Sequence, residues 1–323
     1  MGTRPSNERS AIAFGPVPSR RLGRSLGINN VPPKVCSYAC VYCQLGRTTQ
    51  MQVERLPCYE PHVILHEVRE RLDCMGEAGE TADYLTLVAD GEPTLDLHLG
   101  ETIDLLRPLG HHIAVISNAS LLSRVDVRQE LSGADWVSVK VDAADEAIWR
   151  RIDRPHKSLR FDQIQGGLLD FAAEYDGHLV TETMLVKGVN DDRGHLERIA
   201  RMLSRLRPAQ AYVAAPTRPP AEDWVEIPTM ETMIEAYQVV GNFVEHVEFL
   251  MGYEGNAFAQ SEDVESSLLS ITSVHPMRAD AVDELLAKTG EDWEIVRTLV
   301  SLNKLVKLDH EGHTFYVRRL PGR

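Results

Sequence analysis

Three of the chain's five cysteines fall within eight residues, Cys36-Ser37-Tyr38-Ala39-Cys40-Val41-Tyr42-Cys43, with the spacing C-x3-C-x2-C. Three thiolates this close repel one another unless a cation sits among them, so the spacing points to a metal ion or an iron-sulfur cluster. A structural zinc site would need a fourth ligand, for which Cys58 and Cys74 are the candidates. Zinc loops usually bring their ligands in two pairs. Here one triplet is followed by scattered singles, which favours a cluster held by three cysteines with one iron left open. Unliganded core cysteines do not usually gather at this spacing. An odd cysteine count also suits a reducing compartment, the cytoplasm, rather than a disulfide framework.

The rest of the chain alternates. Residues 1–11 are mostly polar, and Ser25 to Asn29 reads as a short first strand within a stretch, Ile12 to Pro33, that is rich in Gly, Pro and Arg. Helices are predicted from Pro61 to Leu72, Leu97 to Leu106, Val125 to Leu131, Phe161 to Tyr175 and His195 to Leu206. Strands are predicted from Tyr84 to Ala89, His112 to Ser117, Trp136 to Val141, Leu179 to Val186 and Ala211 to Ala215. Largely apolar strands alternating with helices indicate a parallel sheet covered by helices, an α/β fold. Six such units fit an open, six-unit version of the β/α barrel, which carries its chemistry at the C-terminal ends of the strands. The cysteine loop, Asp90-Gly91-Glu92, Asn118, Asp142 and Lys187 all fall at those ends.

Beyond Met230 the pattern changes. Ile234 to Val247 reads as a sixth helix and Phe249 to Asn256 as a linker or last strand. Three helical stretches follow (Val264 to Leu269, Ala279 to Ala287, Trp293 to Leu302), then a hairpin formed by Leu305 to Leu308 and Phe315 to Val317 around Glu311-Gly312. That order is the order of a winged helix, giving a barrel over residues 1–260 and a winged-helix-like domain over 261–323. Residues 261–323 hold eight Arg or Lys against eleven Asp or Glu, which favours a protein-docking or substrate-capping module over a DNA-binding one. The whole chain carries a net charge of −14, yet residues 1–60 have eight Arg or Lys against three Glu. An acidic body disfavours a large nucleic-acid substrate, while a small anion beside the cysteine loop is readily accommodated. No apolar run approaches the ~18 residues of a membrane span.

The cysteine spacing, with Tyr42 directly before the third cysteine, resembles the signature of the radical S-adenosylmethionine (SAM) enzymes. The likeness extends to Gly15-Pro16-Val17-Pro18-Ser19-Arg20-Arg21, Asp90-Gly91-Glu92-Pro93-Thr94, Ile116-Ser117-Asn118-Ala119-Ser120, Arg154-Pro155-His156-Lys157, Val186-Lys187-Gly188-Val189-Asn190-Asp191 and Pro216-Thr217-Arg218-Pro219-Pro220. These stretches are similar to a subgroup related to the wyosine-base synthases of tRNA, and together they cover about residues 12–225. The resemblance implies a partial (β/α)6 barrel of the radical SAM type and a [4Fe-4S] cluster on Cys36, Cys40 and Cys43. It also implies SAM as a cofactor, Tyr42 near its adenine, and an electron donor such as a flavodoxin or ferredoxin. Reduction would cleave SAM to methionine and a 5′-deoxyadenosyl radical that abstracts hydrogen from a substrate.

On that resemblance, Asp90-Gly91-Glu92 stands where the family's Gly-Gly-Glu turn meets the methionine amino group, with Asp90 in place of the first Gly. Ser117 and Asn118 fall where the family meets the ribose or carboxylate, and Ala119 where relatives tend to have Gly. The alternation of side chains puts Ser138, Lys140 and Asp142 on one face of their strand, and Glu182 and Met184 on one face of theirs. A lysine among apolar strand residues needs a polar partner or a ligand, so Lys140 is either a catalytic or binding residue or half of a buried ion pair. Glu182 and Lys187 are further candidates for contact with substrate or SAM. No cysteine precedes Cys36, so the second cluster of the wyosine-type relatives has no matching ligands. The expected substrate is therefore a small molecule or a protein side chain. The alternatives are wyosine-type tRNA guanosine modification, a non-catalytic iron-sulfur sensor acting through the winged helix, and a structural zinc protein.

Overall fold

The computed structural model describes residues 12–251, 264–274 and 276–319. The expected domain boundary at 260/261 and the N-terminal residues 1–11 lie outside the described residues. The chain opens with an antiparallel pair, β1 (Ala13–Ser19) and β2 (Gly23–Ile28), followed by two short strands that pair with each other, β3 (Val35–Cys36) and β4 (Gln50–Met51). Helix and strand then alternate. In order they are α1 (Pro61–Glu77), β5 (Tyr84–Leu87), α2 (Leu99–Leu106), β6 (His112–Ser117), α3 (Val125–Leu131), β7 (Trp136–Lys140), α4 (Glu146–Ile152) and α5 (Phe161–Glu174). The run continues with β8 (His178–Met184), α6 (Arg193–Leu206), β9 (Gln210–Ala214), α7 (Met230–Gly241) and β10 (Val247–Leu250).

One sheet runs β1-β2-β5-β6-β7-β8-β9-β10, and every neighbouring pair from β2 to β10 is parallel. Leu22, in the turn between β1 and β2, packs with Ala114, Trp136, Val180 and Tyr212 from four strands across the sheet. A flat sheet would hold those residues too far apart, so the sheet curls into a partial β/α barrel, and Leu22 closes its lower end. The turn lies at the N-terminal ends of the parallel strands, opposite the cysteine loop. The helices cover the convex side through apolar stripes, as in α6, where Leu196, Ile199, Leu203 and Leu206 are buried and Asp192 caps the helix by accepting from the His195 amide at 3.0 Å.

The sheet differs from the six-strand expectation in two places. β1 forms inside the stretch read as Gly- and Pro-rich loop, because Gly27 on β2 has no Cβ where the Phe14 ring lies; a Cβ there would fall 2.0 Å from the ring. β10 adds a seventh parallel strand where a linker or last strand was expected from Phe249, starting two residues earlier, after a helix α7 that spans 230–241 rather than 234–247. Thr229 starts α7 by accepting from the Thr232 amide at 3.3 Å. The unexpected α4 is capped by Asp145, which accepts from Ile148 N at 3.0 Å, and it buries only Trp149 and Ile152.

A second core lies C-terminal to the barrel, in α8 (Val264–Val274), β11 (Met277–Arg278), α9 (Ala279–Thr289), α10 (Trp293–Ser301), β12 (Leu305–His310) and β13 (His313–Arg318). Leu268, Ile271, Val282, Leu285, Leu299 and Leu305 centre it, and its antiparallel sheet runs β11-β13-β12. It touches the barrel where Val17 of β1 packs against this core and where His310 Nε2 lies 3.0 Å from the Pro216 carbonyl oxygen. No helix among the described residues is long and apolar enough to cross a membrane.

One close approach sets the upper rim of the barrel. The turn after β5 meets β3 at Gly91, where an added Cβ would stand 1.9 Å from the Val35 carbonyl oxygen, and Glu92 N donates to that oxygen at 3.0 Å. Gly91→Ala is expected to destabilise the fold by about 1–3 kcal/mol in urea unfolding, since backbone must move to admit the methyl group. An unchanged midpoint would mean that the rim is loose.

Candidate active site

The cysteine loop has little regular structure of its own, and its backbone groups are satisfied by neighbouring turns. On one side it lies as an extended segment along residues 152–156: Val41 N donates to Ile152 O at 2.9 Å, Ala39 N to Asp153 O at 3.0 Å, and His156 N to Ser37 O at 2.9 Å. On the other side Lys34 N donates to Asp90 O at 2.8 Å. The Ser37 and Ser120 hydroxyls are 2.6 Å apart, and the buried Lys34 ammonium donates to Gly46 O at 2.6 Å. The loop is thus held by the turns after β5, β6 and α4. The stretch Arg154-Pro155-His156 has this structural task, and Arg154 also pairs with Glu222 at 2.6 Å.

Cys36, Cys40 and Cys43 share the wall of a cavity of about 310 Å³, which lies within the concave side of the sheet and is of a size that suits a small ligand. Tyr42, Gly91, Glu92, Ser117 and Asn118 line it near the cysteines, and Lys140 and Glu182 line it deeper in. The structure therefore brings together, from five strand ends, most residues singled out in the sequence. Asp90 and Asp142 stand behind this lining. Asp90 N donates to Asn29 Oδ1 at 2.8 Å, so its position serves the turn. Asp142 accepts from the Tyr42 hydroxyl and, at 2.6 Å, from Met184 N. Lys187 lies apart: β8 ends at Met184 instead of running to Val186. Lys187 therefore falls in the following turn, about half exposed, with its ammonium 2.5 Å from Glu226. Cys58 and Cys74 do not line the cavity, so the structure brings neither to the triplet as a fourth zinc ligand.

Near the cysteines the polar groups are saturated. Glu92 accepts from Ser117 Oγ at 2.7 Å, Asn118 N at 2.7 Å and Thr94 Oγ1 at 2.6 Å; burial raises its carboxyl, against these hydrogen bonds. Asn118 Nδ2 donates to Ser37 Oγ at 2.9 Å and to Cys36 Sγ at 3.5 Å. Cys40 Sγ donates to Asp153 Oδ1 at 3.4 Å. Burial, and then the charge of Glu92, pushes the Cys36 thiol up to about 12; burial and Asp153 hold Cys40 well above its usual range. Burial of this kind disfavours the free thiolates of Cys36 and Cys40. As placed, no three His, Cys, Asp or Glu side chains among the described residues converge on one point as metal ligands.

Deeper in, Glu182 sits between two cations: its Oε1 accepts from Lys140 Nζ at 2.6 Å and its Oε2 from Arg21. The Lys140 ammonium also lies 4.9 Å from the Tyr42 ring centroid. Burial alone would raise the Glu182 carboxyl, but Lys140 and Arg21 outweigh it and hold the pKa at about 2. Burial likewise opposes the charge on Lys140, yet Asp142 and Glu182 raise its pKa. A carboxylate so held does not accept protons near neutral pH, and an ammonium so held is not a nucleophile. Lys140 and Glu182, expected as catalytic residues, are thus paired with one another on the cavity wall. Both readings of Lys140 meet here, since it is ion-paired and lines the cavity.

Arg21, Asp153 and Asn190 were given no role in the sequence reading. Arg21 lies in the turn at the opposite end of the barrel and reaches Glu182 from 161 residues away in sequence. Asn190 Nδ2 donates to the carbonyls of Asp142 and Met184, each at 2.8 Å, and so ties the ends of β7 and β8 together. Neither pairing has a local signal in the sequence, because each partner lies on a different strand end.

Because the Glu182 pKa is lowered on folding, the unfolded chain takes up its proton first as pH falls. The stabilisation is complete above an ordinary pKa of 4.5 and fades toward pH 2, a span corresponding to about 3 kcal/mol. In urea unfolding, Glu182→Gln should be less stable than the parent near neutral pH, with the gap narrowing below pH 4.5. A gap that stays constant through that window would contradict the ion-paired arrangement.

Comparison with known proteins bears on the same residues. The model of the Radical SAM superfamily matches residues 30–203, more than half of the chain. UPF0026 protein MJ1312 of Methanocaldococcus jannaschii is 44% identical over 314 residues, covering 97% of each chain. Among solved structures, a radical SAM methyltransferase from Sphaerobacter thermophilus superposes with a TM-score of 0.56 at 16% identity, over 71% of this chain and 67% of that one. An archaeal TYW1 superposes at 0.49 and 17% identity, over 68% of this chain and 72% of that one. The fold, the cysteine loop and the family match agree: the chain belongs to the Radical SAM superfamily of enzymes, which in general depend on SAM and an iron-sulfur cluster.

Proposed function

We propose that Cys36, Cys40 and Cys43 hold a [4Fe-4S] cluster, that SAM occupies the adjoining cavity, and that the enzyme abstracts hydrogen from a small molecule or a protein side chain. The observation that carries this reading is the placement of all three cysteines on one cavity wall, beside the Gly91-Glu92 turn and the Ser117-Asn118 turn. The chemistry such a pair of cofactors supplies is one-electron cleavage of SAM to methionine and a 5′-deoxyadenosyl radical. The chain's own residues supply order. Glu92 fastens the turn after β5 to the turn after β6, Asn118 fixes the start of the cysteine loop, and Asp142 holds the Tyr42 ring against the cavity. Val88, Ile116, Met184, Ala214 and Leu250 wall the space with apolar groups, which excludes water from a reactive intermediate. A flavodoxin or ferredoxin is the proposed electron donor.

The C-terminal unit fits a winged-helix-like domain, since its order is helix, strand, helix, helix, hairpin. We assign it to residues 261–323, with the barrel over 1–260, and to docking or capping rather than DNA binding. The acidic balance of the unit and its contacts with β1 and Pro216 support that role.

Anaerobic reconstitution with iron and sulfide, reduction with dithionite and addition of SAM should yield 5′-deoxyadenosine and methionine in equal amounts. Cys36→Ala should abolish both products. A fully loaded cluster that leaves SAM intact, together with operator DNA binding, would favour the sensor reading. Colourless zinc-loaded protein would favour the structural one.

A further inference from the structure

The carboxylates in and behind the cavity wall already accept hydrogen bonds. Both oxygens of Glu182 are taken, one by Lys140 and one by Arg21. Asp142 spends its oxygens on Met184 N and the Tyr42 hydroxyl. Glu92 spends its own on Ser117, Asn118 and Thr94. The two cations have groups to spare. Arg21 gives one guanidinium nitrogen to Glu182 and lies 5.9 Å from the Trp136 ring centroid, and Lys140 gives one N–H to Glu182. An arginine and a lysine carry more N–H groups than these contacts use. The two side chains are 15% and 16% exposed, and both line the cavity. Two cations therefore share the one carboxylate they both touch, with Asp142 as a second negative charge near Lys140, and their remaining N–H groups face a cavity whose apolar walls strengthen a contact to a further anion.

We propose that Arg21 and Lys140 bind an oxyanion of the substrate, a carboxylate or phosphate group, at the floor of the cavity. The assignment rests on this cavity being the active site and narrows the substrate to an anionic molecule or an acidic side chain. Arg21 comes from the β1–β2 turn at the N-terminal ends of the strands, whereas the cysteines stand at the C-terminal ends. The oxyanion would thus anchor the far end of the substrate and turn its other end toward the cysteine loop. Bidentate recognition by a guanidinium adds direction to the charge.

The same chemistry could be met by the carboxylate of SAM, and the experiment separates the two sources. Reconstituted protein is titrated calorimetrically with inorganic phosphate and with acetate at constant ionic strength, with and without saturating SAM, and with neutral acetamide as control. At least one anion should bind, acetamide should not, and binding should persist when SAM is present. Arg21→Gln should weaken binding about tenfold or more. Arg21→Lys, which keeps the charge in a folded protein, should weaken it less. Glu182→Gln should tighten binding, because the two cations then lose the charged carboxylate they share, whereas a merely structural role would make this variant weaker as well. Arg193→Gln, on the surface of α6, should change nothing. The proposal is overturned if neither anion binds, if SAM displaces the anion, if acetamide binds equally well, or if Glu182→Gln weakens binding. If SAM is never cleaved while the anion affinities shift in these directions, it is the proposed reaction that fails, and the oxyanion site stands.

Discussion

The backbone hydrogen bonds of the cysteine loop decide where the reactive end of this protein lies. A loop that carries three thiols is neither helix nor sheet, and its buried N–H and C=O groups must find partners elsewhere. They find them on the turn after β5, the residues after α4 and Glu222, while the Ser37 hydroxyl adds a side-chain contact to Ser120 in the turn after β6, so the position of the loop depends on those units of the barrel. The local strain falls in the same ring. Lys34, Ala119 and Arg154, at φ of 65°, 65° and 44°, are three of the six non-glycine residues with positive φ among those described, and each borders the loop. Such conformations persist where the surroundings over-determine them, and they tend to cluster at functional sites.

The sequence carries the parts of this arrangement that are local. Cysteine spacing, apolar periodicity and turn residues each depend on a few neighbouring positions, and from them the strand-helix alternation and the strand-end residues Glu92, Asn118, Lys140 and Glu182 could be read, whereas Tyr42 was implied by the family resemblance. What it does not display is pairing across the barrel. Nothing within Arg20-Arg21 announces a carboxylate on β8, and nothing in Gly15-Pro16 announces that Phe14 will lie over Gly27. Lys187 fails for a related reason. Strand length was read from apolar residues that continue to Val186, but the ladder stops where Asn190 folds back onto Met184, and two residues of overrun carry a side chain from the cavity to the surface.

The C-terminal unit has its own apolar core and meets the barrel at two separated points. Val17 on β1 packs into that core, and His310 touches Pro216, the residue before the rim segment Thr217-Arg218 that lines the cavity. β1 is at one edge of the open sheet and Pro216 follows β9, next to the strand at the other edge. Contacts at both sides of an incomplete barrel span its opening. The rim segment is also bonded to the cysteine loop, since Arg218 donates to Gln44 Oε1 at 2.8 Å and Glu222 N to Val41 O at 3.1 Å, so a shift of the unit that moves the rim would reach the loop as well.

The two ends of the cavity solve different electrostatic problems. At the cysteine end, burial keeps thiols protonated and carboxyls raised, so charge is admitted there only together with a cation. At the floor, burial is overcome by pairing: Glu182 stays ionised because two cations hold it, and Lys140 stays charged because Glu182 and Asp142 are near. A charged cluster of this kind has a large desolvation penalty, and replacing it with apolar side chains would often stabilise a barrel. On the wall of a cavity, such a cluster is what the proposed oxyanion site requires, paired charge with N–H groups left over. Groups that stay charged near neutral pH fit the proposed role of orienting a bound molecule without reacting with it, while the proposed chemistry takes place at the opposite end of the same cavity.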